Sequence, residues 1–291
     1  MTPPKTRSPH IDGNRARAGR NDEAQQTANR NDPRGEQVPG DGVRLFHADC
    51  RDIIPMLGLV DHVICDPPYE KHTHKAKQNT RRIRSDGRAV SPVVNFASIE
   101  GVREEITAPL VNLCNGWFIA FCTPEGVAPW RDSIEATGAR YKRACIWVKP
   151  DSAPQFNGQG PAMGPECFVT AWCGSGVSAW NGGGGRNVFT HLTNSSDRHG
   201  EHPTEKPLSL MMEIVNKFTN PGDLILDPYM GSGSTGVAAV RLGRSFIGIE
   251  QDTRFFTIAS ERISDALSRP DLFISTAGKA RTGSLFGGGA E

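Results

Sequence analysis

Apolar residues are grouped along this chain in two ways, as short unbroken runs and as stripes repeating at three- and four-residue steps. The runs at 43–47, 62–65, 117–122, 141–148, 166–172, 224–227 and 246–249 read as strands. Most place apolar residues on consecutive positions, the pattern of a sheet covered on both faces. The stripes read as helices. Ile99, Val102, Ile106, Leu110 and Leu113 form one; Leu208, Met211, Met212, Val215 and Phe218 form another behind Pro207, whose fixed φ suits a first helical turn. Both stripes are assigned to the core. Strand-like and helix-like segments alternate, which predicts an α/β fold built on a doubly wound, mostly parallel sheet, with 141–148 and 166–172 as an antiparallel edge hairpin.

The two ends break this pattern. Residues 1–40 hold many Arg, Asn, Asp and Gln and no aromatic residue, so a disordered tail is expected, and Arg15, Arg17 and Arg20 read as part of a solvated arm. Residues 271–291, with Gly287, Gly288 and Gly289, read as a second flexible tail, which leaves 41–270 as the folded domain. The chain has 291 residues and a net charge of +1, so any affinity for nucleic acid has to come from a local cluster rather than a global field. The absence of a membrane-length apolar run or a leader pattern predicts a soluble, cytoplasmic protein with no membrane partner. Seven cysteines without a C-x-x-C pair read as reduced thiols, with no zinc framework and no metal expected.

Two of the runs end in loops that carry chemistry. Asp66-Pro67-Pro68-Tyr69 follows 62–65 and offers a carboxylate, rigid backbone carbonyls and an aromatic plate at a strand end, which suits holding a flipped base by its amino edge. The prolines stiffen the loop, because each fixes its own φ and restricts the residue before it. Downstream, 227–236 contains Gly231, Gly233 and Gly236 in G-x-G-x-x-G spacing after a strand and before a helix at 237–242, with Glu250 ending the next strand. That is a nucleotide-binding βαβ unit. Its spacing suits nicotinamide dinucleotide and S-adenosylmethionine equally. Topology favours the second: too little chain follows to complete a dinucleotide fold with a catalytic domain. The remaining strands must come from upstream, and both loops would then open at one carboxyl edge.

With these elements in this order, residues 43–268 resemble the DNA amino-methyltransferases that modify adenine N6 or cytosine N4, in the permuted group where the Asp-Pro-Pro-Tyr motif precedes the glycine motif. The resemblance also draws on 47–50 with Asp49, on 117–122 and on the segment 202–207; Tyr229 stands where the family commonly has Phe. It implies a Rossmann-like, circularly permuted fold of seven strands ordered 43–47, 245–249, 223–227, 62–65, 117–122, 166–172, 141–148, the sixth antiparallel. It implies S-adenosylmethionine as cofactor, with Asp49, Asp227, Tyr229, Gly231, Gly233, Thr204, Lys206 and Glu250 around it. Asp66, Pro67, Pro68 and Tyr69 would form the catalytic loop. There Asp66 and the Pro67 carbonyl would each accept one N–H of the target amine, favouring a pyramidal nitrogen, while Tyr69 stacks on the base. Such stacking contributes about 1–3 kcal/mol, enough to offset much of the cost of extracting the base.

The strongest basic cluster lies directly behind this loop. Lys71, Lys75, Lys77, Arg81, Arg82, Arg84 and Arg88, with His72 and His74, face a single acid, Asp86, within a loop assigned to 71–95. Double-stranded DNA is the expected partner, with this loop on the phosphates or closing as a lid. The glycine-rich 174–202 segment offers base-edge donors in Asn181, Arg186, Asn187, Asn194 and Arg198 and reads as a target-recognition segment, short enough to suggest a compact site or a second subunit. Adenine is the expected target, since Asp opens the tetrapeptide more often in adenine enzymes of the family and Ser in cytosine enzymes. N4-cytosine, an RNA or protein amide, a non-catalytic DNA-binding relative and a dehydrogenase are the competing readings. Neither a recognition sequence nor a partner endonuclease is legible.

Overall fold

The computed structural model describes residues 35–36, 42–69, 99, 101–152, 159–193 and 205–269. From Val43 onward the chain forms β1 (Val43–His47), α1 (Cys50–Ile53), β2 (His62–Cys65), α2 (Arg103–Leu113), β3 (Trp117–Cys122), α3 (Val127–Ala136), β4 (Arg140–Val148) and β5 (Pro165–Trp172). There follow β6 (Val188–Thr190), α4 (Leu208–Phe218), β7 (Leu224–Asp227), α5 (Ser234–Arg241), β8 (Ser245–Glu250) and α6 (Thr253–Ser268). Within the span read as an amino-terminal tail, Gly35–Glu36 forms a two-residue strand.

These eight strands lie in one sheet in the order β1-β8-β7-β2-β3-β5-β4-β6. The seven expected strands are present in the expected order, and β5 runs antiparallel to both neighbours. The expected edge is corrected. β6 pairs in parallel with β4, so the β4–β5 hairpin is internal by one strand. Three residues are too few for a periodic signal. They are held instead by the Ile146 amide donating to the Asn187 carbonyl at 2.8 Å and by the Trp147 indole donating to the His191 carbonyl at 2.9 Å.

Alternation along β3 shows why the fold has two cores. Trp117, Ile119 and Phe121 join one cluster, packed with residues of α4, α5 and α6; Phe118, Ala120 and Cys122 join the other, with residues of α1, α2 and α3. All six are buried, as a strand covered on both faces requires. In α4 the buried positions Leu208, Leu210, Met211, Ile214, Val215 and Phe218 make the core stripe, and each side chain so buried contributes about 1.5–3 kcal/mol. Pro207 is the N-cap of α4 rather than a residue of its first turn. Ile99 is buried ahead of α2, its carbonyl accepting from the Val102 and Arg103 amides. The helix after the glycine turn begins at Ser234, earlier than its apolar residues indicate, because left-handed Gly233 (φ 83°) leads straight into it.

The parallel strands end together, and the reversal of β5 brings its start to the same edge. Cys122 pairs with Cys167, and Val148 with Pro165. Asp49, Asp66, Thr123, Lys149, Glu166, Asp227 and Glu250 therefore all stand at the carboxyl edge, where open α/β sheets bind ligands.

Candidate active site

Beyond β2 the chain leaves the sheet through Asp66-Pro67-Pro68-Tyr69. The Asp66 Oδ2 contacts the Lys206 ammonium, while Oδ1 is shielded from solvent and has no donor among the described residues. Burial pushes the Asp66 carboxyl up against the pull of Lys206. The Tyr69 hydroxyl receives a hydrogen bond from Lys206 at 3.0 Å and donates to Glu166 Oε1. Glu166 Oε2 pairs with Lys149 at 2.6 Å, and Lys206 stands 3.7 Å from Glu166 Oε1. Burial opposes ionisation of Glu166, but Lys206 and Lys149 outweigh it and hold the carboxyl at about 2. Burial likewise works against the Lys206 charge, and Asp66 and Glu166 reverse that and raise its pKa.

Beside this row lies a cavity of about 120 Å³ between Tyr69, Thr123-Pro124, Lys149, Met163 and Pro165-Glu166. Tyr69 is its aromatic wall, locked through its hydroxyl. The cavity lining is largely apolar, with the Tyr69 ring, two prolines and Met163 beside Thr123, Lys149 and Glu166, a recess of the kind that takes a planar heterocycle.

The glycine turn occupies the neighbouring strand ends. Glu250 accepts from the Gly231 amide through one oxygen and from the Asp252 amide through the other, both at 2.8 Å. Asp227 accepts from the Tyr229 amide at 3.0 Å, and burial pushes its carboxyl up to about 7. A Cβ on Gly233 would lie 3.0 Å from the Ala259 Cβ, so the turn packs against α6 with no room for a side chain. Ser234 Oγ is buried without a partner among the described residues. A backbone cradle at a helix start, one orphaned hydroxyl, the buried Asp227 carboxylate and the half-buried Glu250 carboxylate fit a ligand carrying hydroxyl and amino groups.

Not every expected residue takes its expected place. Lys206, assigned to the cofactor, has its ammonium on Asp66, Tyr69 and Glu166 beside the cavity. The Asp49 carboxylate caps α1 and is gripped by Arg51, which lowers its pKa. Tyr229 packs with the core on the α1 side, its hydroxyl at the Cys50 thiol. The side-chain amides of Asn181 and Asn187 donate to the Thr219 and Ala144 carbonyls, each at 2.8 Å. The first part of the supposed recognition segment is at the opposite edge of the sheet. There Arg140 donates to the Gly174 and Gly176 carbonyls and the Trp117 indole to that of Ala179. Arg186 is exposed just before β6, on the outer flank of the sheet rather than at the cavity. Lys71, Lys75, Lys77, Arg81, Arg82, Arg84, Arg88, Asn194, Arg198 and Thr204 lie outside the described residues.

Sequence reasoning missed Glu166, Lys149 and Arg262. Glu166 opens an apolar run and Lys149 closes one, and a charge at the very end of a buried strand was the available signal. Arg262 lies on the buried face of α6; its guanidinium donates to Ser232 O at 2.6 Å and Ser232 Oγ at 3.0 Å and pairs with Glu205 at 2.8 Å. It ties the glycine turn to the residue preceding Lys206.

Residues 166–261 match the model of a family described as DNA methylase. Over 235 residues the chain is 51% identical to the Type II methyltransferase M2.MboI of Moraxella bovis, a match covering 75% of this chain and 86% of that protein. The chain belongs to the DNA amino-methyltransferases. A shorter match, 46% over 81 residues, is to the Type II methyltransferase M2.LlaDCHI of Lactococcus lactis subsp. cremoris, spanning 27% of this chain and 30% of that one. Among solved structures, the M1.HpyAVI–SAM complex aligns at a TM-score of 0.58 and 27% identity, covering 76% of this chain and 98% of that chain. The cytosine-N4-specific PvuII DNA methyltransferase shares the fold at a TM-score of 0.55 and 14% identity, covering 79% and 92% of the two chains. In this DNA amino-methyltransferase the loop bearing Asp66 precedes the glycine turn in sequence, yet both open at one sheet edge.

Proposed function

We propose that this DNA amino-methyltransferase methylates the exocyclic N6 amine of adenine in double-stranded DNA, with Asp66 as acceptor of the target amine and Tyr69 as the stacking surface. One observation carries the reading. A carboxylate oxygen withdrawn from solvent and without a donor among the described residues costs free energy until a donor arrives, and here it stands in the loop that also holds the aromatic wall of the cavity. An exocyclic amine presents such a donor. Accepting its N–H draws lone-pair density from the ring back onto nitrogen, the atom that must become nucleophilic.

The cofactor is S-adenosylmethionine, which supplies an electrophilic methyl on a sulfonium when bound. Gly231, Gly233 and the start of α5 are proposed to cradle it, Asp227 to meet its amino group and Glu250 its ribose hydroxyls. Asp66, just past the strand that pairs with that of Asp227, orients the amine toward that side of the edge, and the Tyr69 ring excludes water from the base. The 71–95 loop is proposed to grip the phosphates. Adenine is favoured over cytosine because Asp opens the tetrapeptide, the residue that goes more often with adenine in this family.

Purified protein incubated with unmethylated DNA and S-adenosylmethionine, followed by mass spectrometry of the digested nucleosides, tests the reading. N6-methyladenine is expected. N4-methylcytosine would keep the mechanism and change the base; no methylated nucleoside, with cofactor bound, would overturn the assignment.

A further inference from the structure

Around Asp66 and Tyr69 stand three charged side chains from three separate parts of the fold: Lys206 ahead of α4, Glu166 at the start of β5 and Lys149 just past β4. Lys206 is the most enclosed, with 7% of its side-chain surface accessible. Its ammonium lies over the rings of Phe121, at 4.9 Å, and Tyr69, at 5.3 Å, and meets oxygens of Asp66, Tyr69 and Glu166. Taking an ammonium out of water costs several kcal/mol even after relaxation, so its partners here must offset that cost. A solvated lysine in the segment before α4 would serve the fold as well.

The row runs Lys149, Glu166, Lys206, Asp66, with charges alternating in sign. Glu166 lies between two cations. Asp66 ends the row with one among the described residues. Among the described residues, the remaining titratable groups near it are Tyr69 on its own loop, Asp227 at the end of β7 and the buried Cys65 thiol, none of which supplies positive charge.

We propose that Lys206 is a positioning residue for methyl transfer: it keeps the Asp66 carboxylate anionic and fixed in the target site and locks the Tyr69 ring, while Glu166, itself held by Lys149, sets how much of the Lys206 charge Asp66 receives. This rests on Asp66 being the acceptor of the target amine. A protonated Asp66 would present a donor to a donor, so methyl transfer fails on the acid side of its titration. The Lys206 cation and the Glu166 anion act on that titration with opposite sign. Removing the cation moves the acid limb of the rate profile up; removing the anion leaves the cation to Asp66 alone and moves the limb down.

The test is the single-turnover rate of DNA methylation over about pH 5 to 9, at saturating cofactor and DNA, for the unaltered protein, Lys206→Met, Lys206→Arg and Glu166→Gln. Lys206→Met should raise the acid-limb midpoint by about 1–3 pH units, as expected when a countercharge at this distance is removed. Lys206→Arg should return it toward the original value, and Glu166→Gln should lower it. A Lys206→Met rate reduced by one constant factor at every pH, or midpoints moving the same way in Lys206→Met and Glu166→Gln, would overturn the proposal. Should Lys206→Met fail to fold, a Glu166→Gln midpoint that stays put or rises has the same force. Asp66→Asn separates the two readings: if it methylates at the unaltered rate, Asp66 is not the acceptor and the assignment beneath the proposal fails first.

Discussion

Replacing Arg262 by alanine should cost the fold about 3–5 kcal/mol, the range for stripping one partner from a buried ion pair. The magnitude follows from what is left behind. Glu205 has 2% of its side-chain surface accessible, its Oε1 depends on Arg262 at 2.8 Å, and its Oε2 is already buried without a partner among the described residues. The Ser232 carbonyl would lose its donor as well, a loss of about 1–3 kcal/mol by itself. At about 2–4 °C per kcal/mol for a domain of this size class, the melting midpoint should fall by roughly 6–20 °C. Replacing both partners, Glu205→Leu with Arg262→Met, removes the stranded charge and should recover all but the Ser232 portion, about 1–3 kcal/mol. Urea unfolding of the two single variants and the double variant, read as a double-mutant cycle, gives the coupling directly. An Arg262→Ala loss below about 1 kcal/mol, the level of an exposed pair, would refute the reasoning.

Three further outcomes are expected. Burial raises Asp227 to about 7 from an ordinary 3.8, so the folded protein keeps a proton there that the unfolded chain has released; stability without cofactor should fall as pH rises between those values and level off above. In the same window cofactor affinity should rise with pH and binding should release a proton, seen as a buffer-dependent heat; affinity independent of pH would remove Asp227 from the cofactor's amino group. Glu250→Ala leaves the Gly231 and Asp252 amides without their acceptor and should weaken cofactor binding at least about tenfold, so an unchanged dissociation constant would displace the ribose site. Replacing Arg81, Arg82 and Arg84 together should flatten the salt dependence of DNA binding by about 0.9 in log–log slope for each phosphate that is no longer neutralised, and an unaltered slope would return that loop to solvent.

Strands were legible where burial on both faces wrote consecutive apolar residues, as in Trp117–Cys122, which the sequence bounds without error. Helices were legible where large aliphatic residues marked the stripe, and in α5 from the glycine motif ahead of it. In α6 the buried face is Phe255, Phe256, Ala259, Arg262, Ile263 and Ala266; two alanines and an arginine dilute the period, and the helix went unread. The Asp66 loop and the glycine turn were legible because each is a local motif whose parts are contiguous. The Lys206 cluster was not, because it joins one residue from the start of a strand, one from beyond another and one from a loop, none of them contiguous in sequence. The segment 202–207 was recognised from its neighbours in sequence, and the cofactor role given to Lys206 reflected that neighbourhood rather than its partners in space.

The reversed strand β5 has a consequence for how the protein can vary. Because β5 begins where β4 ends, Lys149 and Glu166 face each other across the base of one hairpin, closed by the Lys149 amide donating to the Gly164 carbonyl at 3.0 Å. Register along the hairpin is fixed below that closure by the pairing from Arg140–Trp172 to Val148–Pro165. Beyond the closure, and apart from Met163 in the cavity wall and Asp151 on Thr193, the chain can therefore lengthen or shorten without displacing either charge. Descendants of this protein can thus vary in length there while the paired charges beneath stay as they were, so that change at the rim need not be traded against integrity of the fold.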